Sequence, residues 1–103
     1  MGTKKLGILL STPPENKNFN IAVSLIKEAV DQDIAVYLYF IDDGVYALER
    51  PEIKTLSDAG VHLFSCAYGA KRRGISKNEF VVFAGLVTLS DMIKGCDRFL
   101  AFN

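Results

Sequence analysis

The chain has 103 residues, with 12 Lys plus Arg against 12 Asp plus Glu and half of its residues apolar, which excludes the disordered and fibrous classes and describes one globular domain over residues 1–103. A formal net charge of zero excludes the strongly basic signature of a dedicated nucleic-acid binder and the acidic signature of a solvating tail, and it favours self-association. Above roughly 80 residues a chain buries enough core to fold without disulfides or a structural metal.

Lys4-Lys5 followed by Leu6 to Leu10 superficially resembles the start of a signal peptide, but the apolar run ends at Ser11-Thr12-Pro13-Pro14, so it reads as a buried first strand. Asn16 or Asn18 then caps a helix whose stripe is Ala22, Leu25, Ile26 and Ala29, ending near Asp31. Ile34 to Ile41 is apolar on both faces and reads as a central strand, closed by a turn at Asp42-Asp43-Gly44. Pro51 opens a second helix carrying Ile53, Leu56 and Ala59, which Gly60 ends. Val61 to Ser65 is the third strand, left by way of Cys66, and Ala67 to Arg73 is a short helix stopped by Gly74. Glu79 to Phe83 is either a short strand, the preferred reading, or the apolar entry to a helix that carries Leu86, Leu89, Met92 and Ile93 and is ended by Gly95, and Arg98 to Phe102 is the last strand.

This alternation predicts an α/β fold: a single flavodoxin-like three-layer domain with a mostly parallel sheet of four or five strands. Functional loops then gather at the carboxyl ends of the strands, at Ser11 to Asn18, Asp42 to Tyr46 and Cys66 to Gly74. The longest apolar stretch, Phe80 to Leu89, is interrupted by Thr88 and falls short of the roughly 18 residues of a membrane span. A cytoplasmic protein without membrane contact is expected.

The two cysteines are not equivalent. Cys66 leaves the sheet at its functional edge and Cys96 precedes the last strand at the opposite edge, roughly 17 Å away at about 3.3 Å per strand residue. A disulfide allows only about 7 Å between α-carbons. Cys66 is either a small buried hydrophobe or a reactive thiol. A helix starting behind it points backbone N–H groups at the sulfur, and Lys71, Arg72 and Arg73 follow one or two turns later, so both effects favour the thiolate. The basic run also has the simpler reading of a solvated face. His62, between Val61 and Leu63, reads as a packed, hydrogen-bonded histidine rather than a base. One histidine and two distant cysteines do not make a zinc site, and no glycine-rich phosphate fingerprint is present, so neither metal nor cofactor is called for. Asp42-Asp43 follows the second strand, whereas the paired acids of phosphoacceptor receiver domains follow the first, and the first loop lacks the Ser/Thr run of a flavodoxin phosphate loop.

The segment Ala59 to Ile75, a strand-ending Cys66 followed after a short gap by Arg72-Arg73-Gly74, resembles the cysteine loop of the DsrE/DsrF-like family of sulfur-relay proteins. Phe40-Ile41-Asp42-Asp43-Gly44-Val45 is similar to the family's acidic-Gly-Val turn, and Cys96 to Phe102 to its closing strand; the first loop departs from the Tyr-containing loop of many members. The resemblance implies a sulfur carrier that accepts a persulfide sulfur on Cys66 and passes it to a partner protein. Ala67, Tyr68, Lys71, Arg72 and Arg73 would support the anion, and Ser11, Asp42, Asp43 and Gly44 would edge the pocket. It further implies a homo-oligomer, trimer or hexamer, or a hetero-oligomer with related subunits, no cofactor, donor and acceptor proteins as partners, and nucleic acid only indirectly. The alternative is a non-catalytic oligomeric scaffold or small-molecule binder of the same fold, with Phe80 to Phe83 as its interface and Cys66 inert. Cys96 is expected to be structural.

Overall fold

Five apolar runs pair in one all-parallel sheet in the computed structural model, which describes residues 3–103. The strands are β1 (Lys5–Leu10), β2 (Ala35–Phe40), β3 (His62–Cys66), β4 (Val82–Ala84) and β5 (Arg98–Phe102), in the order β4-β3-β2-β1-β5. The helices are α1 (Lys17–Asp31), α2 (Glu52–Asp58), α3 (Ala67–Arg72) and α4 (Leu86–Gly95). Asn16 is the cap of α1, its side chain accepting the Asn18 N–H at 2.9 Å. Gly60 and Gly74, both at positive φ, follow α2 and α3.

Handedness decides which face each helix covers. From β1 to β4 the chain steps across the sheet in one direction, and right-handed crossovers put the intervening helices on one face. There Ile8, Leu10, Val36, Leu38, Phe40 and Leu63 pack with Phe19, Val23 and Ile26 of α1, Ile53 and Leu56 of α2, and Ala70 of α3. The step from β4 to β5 runs back across the whole sheet, so α4 takes the opposite face, alone. Met92 is its one buried residue, whereas Leu86 is 62% and Val87 77% exposed. The expected stripe of Leu86, Leu89, Met92 and Ile93 is therefore only partly seated, because one helix cannot roof five strands.

His62 lies on this thinly covered face. It is exposed and stacks on Tyr37 with ring centroids 4.5 Å apart, so the expected packed, hydrogen-bonded histidine is instead part of a half-open aromatic row continued by Phe64. No helix among the described residues is long and apolar enough to cross a membrane.

Two elements differ from the sequence reading. The turn at Asp42-Asp43-Gly44 is the start of a 3₁₀ segment running from Asp42 to Glu49. Asp42 enters it at φ 52°, a left-handed conformation that Asp tolerates better than most residues. Val45 and Leu48, three apart as the three-residue period requires, are buried. Strand β4 begins three residues later than Glu79. The Asn78 side chain accepts the Phe80 N–H at 2.8 Å and its carbonyl the Val81 N–H at 3.1 Å, so these amides are committed to a turn. Val81 is consequently core and only Val82 of the Phe80–Phe83 run is exposed, at 57%.

Candidate functional site

Adjacent strands whose outgoing connections diverge to opposite faces leave a crevice at their carboxyl ends. Here those strands are β3, which leads to α3, and β4, which leads to α4. Cys66 is the last residue of β3 and pairs in register with Ala84, the last of β4, so its thiol sits at this crevice.

Cys66 is half-buried and also caps α3: its sulfur accepts the Gly69 N–H at 3.3 Å. With only six residues α3 has little macrodipole, so the direct N–H bond matters more than the helix as a whole. A cleft of about 350 Å³ opens beside the sulfur, lined by Asp42, Cys66, Tyr68, Gly69, Arg72 and Arg73. Arg73 braces it, donating from Nε to Asp43 Oδ1 at 3.0 Å and from Nη1 to the Gly69 carbonyl at 3.3 Å. Arg72 lies over the Tyr68 ring, 5.8 Å from its centroid, and donates to the Tyr68 hydroxyl at 3.2 Å. Both arginines line the same cleft as the sulfur, and neither donates to it. They leave charge and donors at the rim for an anionic group held on Cys66.

The sequence-derived residues thus divide. Cys66, Asp42, Tyr68, Arg72 and Arg73 come together around one cleft, with Asp43 joined through Arg73. Ala67 and Lys71 are exposed on α3 and do not line it. Gly44 is buried against the Leu10 carbonyl, where it sets the path of the 3₁₀ segment. Ser11 is not at the pocket edge: its hydroxyl donates to Asn103 Oδ1 at 2.9 Å, because β5 rather than β3 flanks the end of β1.

The backbone N–H expected at the sulfur from the helix behind Cys66 is that of Gly69, three residues on as an N-cap acceptor requires. The group without a sequence signal is Tyr39, fully buried on the same sheet face, whose hydroxyl lies 3.2 Å from the carbonyls of both Ala84 and Gly85. Burial, the negative charge of a Cys66 thiolate and a hydrogen bond to it push the phenol up to about 12.

Cys96 is elsewhere, as the strand direction requires. It lines an apolar cleft of about 230 Å³ with Lys5, Tyr37, Phe64 and Met92 at the other end of the sheet. Burial pushes its thiol up, against a smaller lowering by Lys5. Among the described residues no three metal-ligating side chains converge.

Residues 4–102 match the model of the DsrE/DsrF-like family. The fold is similar to that of the ychN protein from E. coli, with 21% identity, a TM-score of 0.77, and 98% of this chain and 100% of that one covered. It is also similar to MTH1491 from Methanobacterium thermoautotrophicum, a protein of unknown function, with 14% identity, a TM-score of 0.78, and 94% and 98% covered. BT1422 from Bacteroides thetaiotaomicron gives 13% identity, a TM-score of 0.76, and 96% and 95% covered. At these identities the likeness is one of fold. No curated protein matches the sequence.

Proposed function

The chain belongs to the DsrE/DsrF-like family, and from that premise we propose that it is an intracellular sulfur carrier that holds a persulfide on Cys66 and hands the outer sulfur to a partner protein. The observation that carries this reading is the Cys66 sulfur at the mouth of the β3/β4 crevice, bonded to the Gly69 N–H and facing a cleft edged by Arg72 and Arg73.

The step needs no cofactor. The Cys66 thiolate attacks the outer sulfur of a donor persulfide, R–S–SH; the donor S–S bond breaks, the pair of electrons leaves with the donor as RS⁻, and a new S–S bond forms on Cys66. The carried –SSH loses its proton readily, and the anion meets the two guanidiniums at the rim. An acceptor thiolate reverses the sequence. No net oxidation occurs, since one S–S bond replaces another.

The chain acts as a homo-oligomer, trimer or hexamer, or beside related subunits. Exposed Val82, Leu86, Val87 and Ile93 on the α4 side support this, because isolated monomers rarely leave such a set uncovered. Donor and acceptor proteins then reach the cleft from the strand ends, and nucleic acid is served only through them.

The reading is tested by release. Reduced protein is treated with polysulfide, freed of donor and exposed to cyanide, which removes outer sulfur as thiocyanate. About one thiocyanate per chain is expected from the natural sequence and from Cys96→Ser. Absence of thiocyanate from both would end the carrier reading.

A further inference from the structure

Among the described residues Tyr39 is the largest fully buried side chain. A phenylalanine would fill the same volume without a polar end that needs partners. The partners it has are specific. Its hydroxyl sits between the Ala84 and Gly85 carbonyls, at 3.2 Å from each, and Ala84 is the register partner of Cys66, which places the hydroxyl beside that cysteine. Tyr39 pairs in register with Phe64, two residues before Cys66 on the same face, and Cys66 pairs with Ala84. The hydroxyl therefore lies where β2, β3 and the β4–α4 junction meet.

A phenol has one proton to give and two lone pairs. Facing a neutral thiol it gives the proton to a carbonyl and can receive the S–H. Facing a thiolate it can rotate and donate to sulfur. We infer that Tyr39 is a positioning residue for Cys66, its hydroxyl turning from the Ala84 and Gly85 carbonyls to the sulfur when the thiol loses its proton, and holding the sulfur towards the cleft together with the Gly69 N–H. This rests on the reading of Cys66 as the sulfur-carrying residue.

The other groups facing the sulfur do not supply this contact. Asp42 brings negative charge, the Arg72 and Arg73 guanidiniums make no hydrogen bond to the sulfur and donate instead to the Tyr68 hydroxyl, Asp43 and the Gly69 carbonyl, and the Ala84 and Gly85 carbonyls are acceptors. A phenol held near 12 keeps its proton to donate throughout the range in which a thiol ionises.

The test is the pH dependence of the reaction of Cys66 with dithiodipyridine, in Cys96→Ser protein with and without Tyr39→Phe. Loss of a hydrogen bond to a charged group should move the midpoint up by about one pH unit. The limiting rate at high pH should rise about threefold, since nucleophilicity grows with basicity, leaving a net fall of about threefold well below the midpoint. An unmoved midpoint in folded Tyr39→Phe overturns the inference. A second measurement does not depend on that variant. In Tyr68→Phe/Cys96→Ser protein labelled with ¹³C at tyrosine Cζ, one resonance should titrate with the Cys66 midpoint and stop doing so in Cys66→Ser. Flat tyrosine resonances across that range overturn the inference as well. Neither experiment uses a sulfur donor, so failure here with intact persulfide loading dismisses Tyr39 alone, whereas failed loading with a shifted midpoint dismisses the carrier reading.

Discussion

Cys66→Ser abolishes sulfur loading while fold and assembly stay as they are. A serine hydroxyl is not ionised near neutral pH and cannot attack a sulfane sulfur, so the loss is complete rather than graded. The structural role passes over intact. The Cys66 sulfur caps α3 by accepting the Gly69 N–H, and serine is among the best N-cap residues, so stability should change by no more than about 0.5 kcal/mol. Loading measured by intact mass, together with thermal melting and size-exclusion chromatography, separates the two effects. A variant that loses loading only because it unfolds or dissociates would refute this division of roles. Cys96→Ser should leave loading unchanged, because the Cys96 thiol is pushed up by burial and lies in a separate cleft.

Gly44→Ala should have the largest effect on stability of any single methyl group added to this chain. A Cβ at Gly44 would lie 2.8 Å from the Leu10 carbonyl carbon and still closer to its oxygen. That oxygen is fixed, since it accepts the Ile41 N–H at 3.0 Å, and Gly44 is itself tied to the Ile41 carbonyl at 2.9 Å. Neither side can yield without moving the carboxyl end of β1 or the 3₁₀ segment. The expected cost is more than about 3 kcal/mol, hence a melting temperature lower by about 10 °C or more for a domain of this size. Urea unfolding measures it. The same displacement would move Asp43 away from Arg73 and slow loading in whatever protein remains folded. A change within about 0.5 kcal/mol would show that the segment is free to shift.

The parts of the fold that were readable from sequence are those in which local pattern and tertiary burial agree. The apolar runs at Leu6 to Leu10 and Ile34 to Ile41, the Asn16 cap and the stripe through Ala22 and Ile26 all fall where expected. Strand β4 was misplaced because Phe80 and Val81 look like strand residues until Asn78 takes their amides. The 3₁₀ segment escaped notice because a spacing of three, Val45 to Leu48, is shared with an ordinary helix and the Asp-Asp-Gly ahead of it signals a turn. Strand-end position alone puts Ser11 beside Cys66, whereas the strand order sets β1 and β3 on either side of β2. Within the site, Cys66 and the two arginines carry a sequence signal. Tyr39 carries none, because an aromatic inside a β-rich apolar run is indistinguishable from core until the partners of its hydroxyl are seen.

The most direct measurement is peptide mapping by mass spectrometry of the reduced chain after exposure to a polysulfide donor. One additional, reductant-reversible sulfur confined to the peptide that contains Cys66 is the predicted result. An unmodified Cys66, or equal loading of Cys66 and Cys96, would contradict sulfur carriage and leave the chain as a binding or scaffold member of its fold.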